Sequence, residues 1–67
     1  MRMTRHEMRQ IRQSLGLAQH QMSTFLCLAK DTVGRYETGH VKPSGHIILL
    51  YKAVRDGLVT PDWAQAA

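Results

Sequence analysis

The chain has 67 residues, 43% of them hydrophobic and only two of them proline, and carries a formal net charge of +4. That length allows one domain, residues 1–67, whose folding removes only about 60% of the unfolded-chain surface from water, so a second subunit would add usefully to its buried surface. The composition excludes a disordered segment, a bilayer-spanning segment (no apolar run approaches ~20 residues) and an internal disulfide, because Cys27 stands alone.

No charged, apolar, small-residue series opens the chain in the manner of a signal peptide, so a cytoplasmic location is expected, on the nucleoid when DNA is bound. His6, His20, His40 and His46 show none of the paired spacings of zinc sites, and neither metal nor cofactor is expected. The positive balance favours a polyanionic partner, because neutralising phosphates releases condensed counterions. Charge alone discriminates poorly among small basic domains, so the pattern along the chain has to decide.

A first amphipathic helix is predicted from Thr4 to Leu15, with Met8, Ile11 and Leu15 at spacings of three and four, Thr4 as cap and Glu7 at the capping-box position. Arg5, Arg9 and, before the helix, Arg2 either track a DNA backbone from this helix or solvate its outer face, the second reading being favoured. Gly16 is placed to end this helix in a left-handed conformation, after which Leu17 returns to the core. A second helix should run from Ala18 or Gln19 to Leu26, carrying Met22 and Phe25, and a third from Lys30 to Thr38, ended by Gly39. Val33 and Tyr36 give the third helix its buried face. A loop, HVKPS, leads to Ser44 as cap of a fourth helix reaching Arg55 or Asp56, with Ile47, Ile48, Leu50, Tyr51 and Val54 as apolar positions and Gly57 as its stop. Thr60, Pro61 and Asp62 suit a short fifth turn anchored by Trp63. With no strand-like alternation, the chain reads as all-α, a compact bundle of four to five helices.

Two short helices across a tight turn, residues 17–39, are how a helix-turn-helix presents side chains to the DNA major groove. Arg12, Gly16, Leu17 and Gln19, then Leu28, Thr32, Val33, Arg35, Tyr36, Glu37 and Gly39, then Lys42-Pro43-Ser44, resemble the Xre-type helix-turn-helix regulators, which include lambdoid phage repressors and Cro proteins. The resemblance implies the lambda-repressor-like bundle. It implies that Gln19 bonds a backbone phosphate and positions without reading sequence, and that Lys30, Asp31, Thr32 and Arg35 reach bases or flanking phosphates. It also implies a structural clamp between Arg12 and Glu37; the residues alone allow a solvated surface pair, but Glu37 follows core residue Tyr36, which favours burial. Ala18 and Ala29 depart from the family's Ser or Thr caps, and Cys27 from its turn glycine.

Arg35 can present a planar fork of donors to guanine O6 and N7. Lys30 can do so less rigidly or bind phosphate, Asp31 can accept from cytosine N4, orient Arg35 or favour the helix dipole, and Thr32 can bond a base, a phosphate or its own helix. The resemblance implies phosphate contacts at Thr38 and Lys42, after the recognition helix; His40 is either a pH-dependent contact or a solvated loop residue. Gly34, inside the reading helix, either lets the helix lie deeper in the groove or is tolerated drift. Cys27 is read as a small hydrophobe of the turn, not a redox switch.

One such unit reads a half-site, and Ile47, Leu49, Tyr51, Leu58, Val59 and Trp63 exceed what one final helix and tail can bury, so residues 44–67 are expected to form a symmetric dimer interface. The expected function is a dimeric repressor of a palindromic double-stranded DNA operator, of the phage, antitoxin or anti-CRISPR-associated kind. The alternative is an adapter whose main partner is a protein such as a toxin. An enzyme is not expected, since no nucleophile or carboxylate is spaced with a base.

Overall fold

In the computed structural model, which describes residues 3–59, the first helix α1 (Arg5–Ser14) is fixed at its start by its own side chains. The Glu7 backbone N–H donates to Thr4 Oγ1 and the Thr4 N–H donates to Glu7 Oε1, each at 3.1 Å, which completes the capping box. The Thr4 backbone N–H, and after it the Thr4 hydroxyl, hold the Glu7 carboxyl below its ordinary range. The second helix, α2 (Gln19–Phe25), has alanine at its cap, and only the reciprocal half of a capping box forms there: the Ala18 N–H donates to Gln21 Oε1 at 2.8 Å.

Between α2 and the third helix, α3 (Thr32–Thr38), the chain reverses through a Schellman motif, with the Cys27 N–H donating to Thr24 O at 3.1 Å and the Leu28 N–H to Ser23 O at 2.8 Å. Cys27 takes φ 60 there, the one non-glycine in the left-handed region among the described residues. Helix α3 begins two residues later than the sequence predicts, so Lys30 and Asp31 lie in the preceding turn. Ala29 offers no capping oxygen, and Asp31 makes no cap bond. The cap comes instead from α2: the fully buried Ser23 hydroxyl accepts from the Val33 N–H at 3.1 Å. Gly39, with φ 84, closes α3 as expected.

The fourth helix, α4 (Gly45–Arg55), is capped by Ser44, whose hydroxyl accepts from the Ile47 N–H. All four helices are present, and no strand occurs among the described residues. The fifth turn expected at Thr60–Asp62 and its anchor Trp63 lie outside the described residues, as does Arg2.

One core cluster gathers Met8 and Ile11 from α1, Leu17 from the connection before α2, Met22 and Leu26 from α2 and its end, Val33 and Tyr36 from α3, and Tyr51 and Val54 from α4. Burying side chains such as Met8, Met22 and Val33 contributes roughly 1.5 to 3 kcal/mol each. Helix α3 packs against both α1 and α2, while α4 rests on α1. Tyr51, expected at a subunit interface, is instead fully buried, and Ile47 is partly buried against the same core. The cause is helical phase: Ile48, Tyr51 and Val54 recur every three residues on one inward face, which turns Leu49 and Leu50 outward.

Candidate nucleic-acid interface

Glu37 organises the surface formed by α2 and α3 from beneath. Its carboxylate is 0% exposed and receives two bonds from Arg12, Nε to Oε2 at 2.7 Å and Nη2 to Oε1 at 3.0 Å. Arg12 Nη1 also donates to Leu17 O at 2.7 Å. Gln19 Nε2 donates to Glu37 Oε1 at 3.2 Å, and Arg9 Nε stands 3.5 Å from the same oxygen. Burial pushes the Glu37 carboxyl up, but the bonds from Arg12 and then Gln19 outweigh it and hold the group below its ordinary value. Arg12 is raised, first by its bond to Glu37. A single charge thus joins α1, α2 and α3, and the pair with Arg12 is buried, not a solvated surface contact.

Above this network Gln19, Lys30, Asp31, Gly34, Arg35 and Thr38 border one open concavity of about 1020 Å³. Lys30, Asp31 and Arg35 are exposed, and among the described residues no hydrogen bond or ion pair engages their side chains with a neighbour. Asp31 therefore does not hold Arg35 in this structure. Thr32 is half-buried and, like Lys42 in the following loop, does not border the concavity. Thr38 Oγ1 lies 2.7 Å from His40 Nδ1 and 3.2 Å from Arg35 O. The apolar positions expected to pair subunits divide: Leu49, Leu58 and Val59 are 52%, 78% and 42% exposed, Tyr51 belongs to the core, Ile47 packs against it partly buried, and Trp63 lies outside the described residues.

Three contributors escape a reading of the sequence. Arg5 Nη1 donates to Thr38 O at 3.2 Å, tying α1 to the end of α3, and Arg9 turns toward Glu37, so neither merely solvates an outer face. Arg5, Arg9 and Arg12 are spaced four and three apart, which puts them on one stripe of α1 and was the available signal. Ser23 carries no such signal, because its role depends on α3 arriving above it. Gly34 faces Gln19, whose Oε1 lies 3.0 Å from where a Cβ would stand.

Two short helices across a tight turn, the second bordering a concavity with cationic side chains that no neighbour among the described residues engages, define a helix-turn-helix DNA-binding protein. A model of the helix-turn-helix family matches residues 8–51, and the chain belongs to that family, the Xre or lambda repressor-like helix-turn-helix proteins. It is a DNA-binding transcription regulator of the Xre type, in a regulatory family that is not typically enzymatic. No curated protein and no solved structure gives a significant match. No helix among the described residues is long and apolar enough to cross a membrane.

Proposed function

We propose that the protein is a dimeric repressor that reads a palindromic operator in the major groove, acting in the cytoplasm on nucleoid DNA. The observation that carries this reading is the concavity in which Lys30 and Arg35 stand unengaged beside Gln19, whose amide is tethered. Arg35 reads guanine through its two-donor fork; Lys30, Asp31 and Thr32 reach neighbouring bases or phosphates from the turn and first residue of α3. Gln19, Thr38 and Lys42 hold the phosphates, and Arg12 with Glu37 clamps the helices that carry them. Two copies associate through Leu49, Leu58 and Val59, with Trp63, outside the described residues, as a further candidate, and set their α3 helices about 34 Å apart on successive major grooves. Regulation of phage, antitoxin or anti-CRISPR-associated operons suits so small a reader.

The exposure of Leu49, Leu50, Leu58 and Val59 favours a second reading, in which that apolar surface engages a protein such as a toxin and DNA contact is secondary. Selection of sites from random duplex DNA separates the two. The repressor reading expects a palindrome, binding that weakens steeply with salt, loss of preference at one base pair per half-site for Arg35→Ala, and uniform weakening for Gln19→Ala. Equal losses across all sequences for both variants would reassign the reading side chain; a salt slope near zero would favour the adapter.

A further inference from the structure

Gly34 occupies the middle of α3, where glycine is a poorer helix former than alanine. Its backbone gives no reason for it, because its φ is not among the positive values of Gly16, Gly39 and Gly57. The reason lies in the neighbouring helix. A Cβ at position 34 would stand 3.0 Å from Gln19 Oε1 and 3.6 Å from Gln19 Cδ. At the same time Gln19 Nε2 is tied to Glu37 Oε1 at 3.2 Å. An ionised carboxylate only accepts, so the amide must turn its nitrogen to Glu37 and its oxygen to Gly34, and one Nε2 hydrogen is left for another acceptor.

We propose that Gly34 is a positioning residue for DNA binding: its missing side chain lets the Gln19 amide lie across α3, locked to Glu37 and aimed at a DNA phosphate. The inference rests on the reading of Gln19 as a phosphate contact. A methyl group at position 34 displaces the far end of a flexible side chain, which the fold absorbs easily, while α3 gains a better helix former. Folding, in which the better helix former offsets the weakened Gln19 bond to Glu37, therefore changes little while binding falls, which distinguishes this role from a structural one.

The test compares wild type, Gly34→Ala, Gln19→Ala and the double variant, with operator-like duplex selected by the wild-type protein as probe. Gly34→Ala should melt near the wild-type temperature, its gain in helix propensity offsetting the weakened Gln19 bond to Glu37, yet lose about tenfold in affinity, the loss of one strong hydrogen bond. Gln19→Ala should lose about as much, and the double variant no more than Gln19→Ala alone. Without DNA, the Gln19 side-chain amide resonances should shift in Gly34→Ala. Burial raises and Arg12 lowers the Glu37 carboxyl, to which the Gln19 bond adds a further lowering, so its titration midpoint should move up in the same variant. Wild-type affinity for Gly34→Ala, or unmoved Gln19 resonances, overturns the inference while leaving Gln19 as a contact. A double variant weaker than Gln19→Ala overturns it too, since the methyl would then be colliding with DNA itself. Wild-type affinity for Gln19→Ala removes the phosphate contact and the inference with it.

Discussion

Replacing Arg12 with methionine keeps an apolar stem of similar length and removes a guanidinium that makes three hydrogen bonds, of 2.7, 3.0 and 2.7 Å. The carboxylate it leaves behind is 0% exposed, so solvent does not take the vacated place without reorganisation. Removing one partner of a buried pair costs roughly 3 to 5 kcal/mol. Gln19 at 3.2 Å and Arg9 at 3.5 Å remain on Glu37, which places the expectation at the lower end, about 3 kcal/mol. At ~0.05 to 0.15 kcal/mol per residue the whole chain is stable by roughly 3 to 10 kcal/mol, so the variant should be close to unfolding. Urea denaturation followed by helical circular dichroism measures the loss, and Arg12→Met/Glu37→Leu should recover most of it, because no buried charge then lacks a partner.

The pH dependence carries a sign. In the wild type the Glu37 carboxyl sits below its ordinary value near 4.5, so its stabilisation is fully present above that value and is lost as pH falls through the depressed folded one. Without Arg12, burial dominates and Glu37 takes up its proton at higher pH. The gap between variant and wild type should therefore begin to narrow above about 4.5, where the variant's Glu37 takes up its proton, and go on narrowing until the wild-type carboxyl is protonated as well. A loss under about 1 kcal/mol, the range of an exposed pair, or a gap that widens in acid, would refute the reasoning.

Two further substitutions test backbone and core. Cys27→Gly removes a left-handed penalty of about 1 to 2 kcal/mol and adds the entropy cost of glycine, about 0.5 to 1 kcal/mol, for a net gain of about 0 to 1.5 kcal/mol, and a thermal melt should show Tm holding or rising by several degrees; a lower Tm would count against it. Tyr51→Phe deletes a buried hydroxyl that has no hydrogen-bond partner among the described residues, so the urea midpoint should hold or rise, and a loss above about 1 kcal/mol would mean the hydroxyl is bonded in solution.

What could be read from the sequence was local. The threes and fours of Met8 and Ile11, Met22 and Leu26, and Val33 and Tyr36 define faces without reference to anything outside their own helices, and all six are buried. The Thr4 and Glu7 capping box and the left-handed closures at Gly16, Gly39 and Gly57 likewise depend on a few adjacent residues. The start of α3 does not: its capping oxygen belongs to Ser23, ten residues before the Val33 N–H it accepts from, and exists as a cap only once the two helices meet. Tyr51 shows another limit, because apolar content counts how much can be buried and only helical phase against α1 decides which side does it. Of the candidate site, Gln19, Lys30, Asp31, Arg35 and Thr38 share one concavity, while the cause of Gly34 lay in a side chain fifteen positions earlier, hidden from any periodicity.

The buried Glu37 network divides the surface above it into two kinds of position. Gln19 is wired into the same charge that holds three helices together, whereas the side chains of Lys30, Asp31 and Arg35 hang outside it. Exchanging exposed side chains of the second kind usually changes stability by no more than about 0.5 kcal/mol. On the proposed reading of Lys30, Asp31 and Arg35 the protein is a retargetable scaffold: those three positions can be randomised together in search of new operator preferences, with the integrity of the fold inherited unchanged from below.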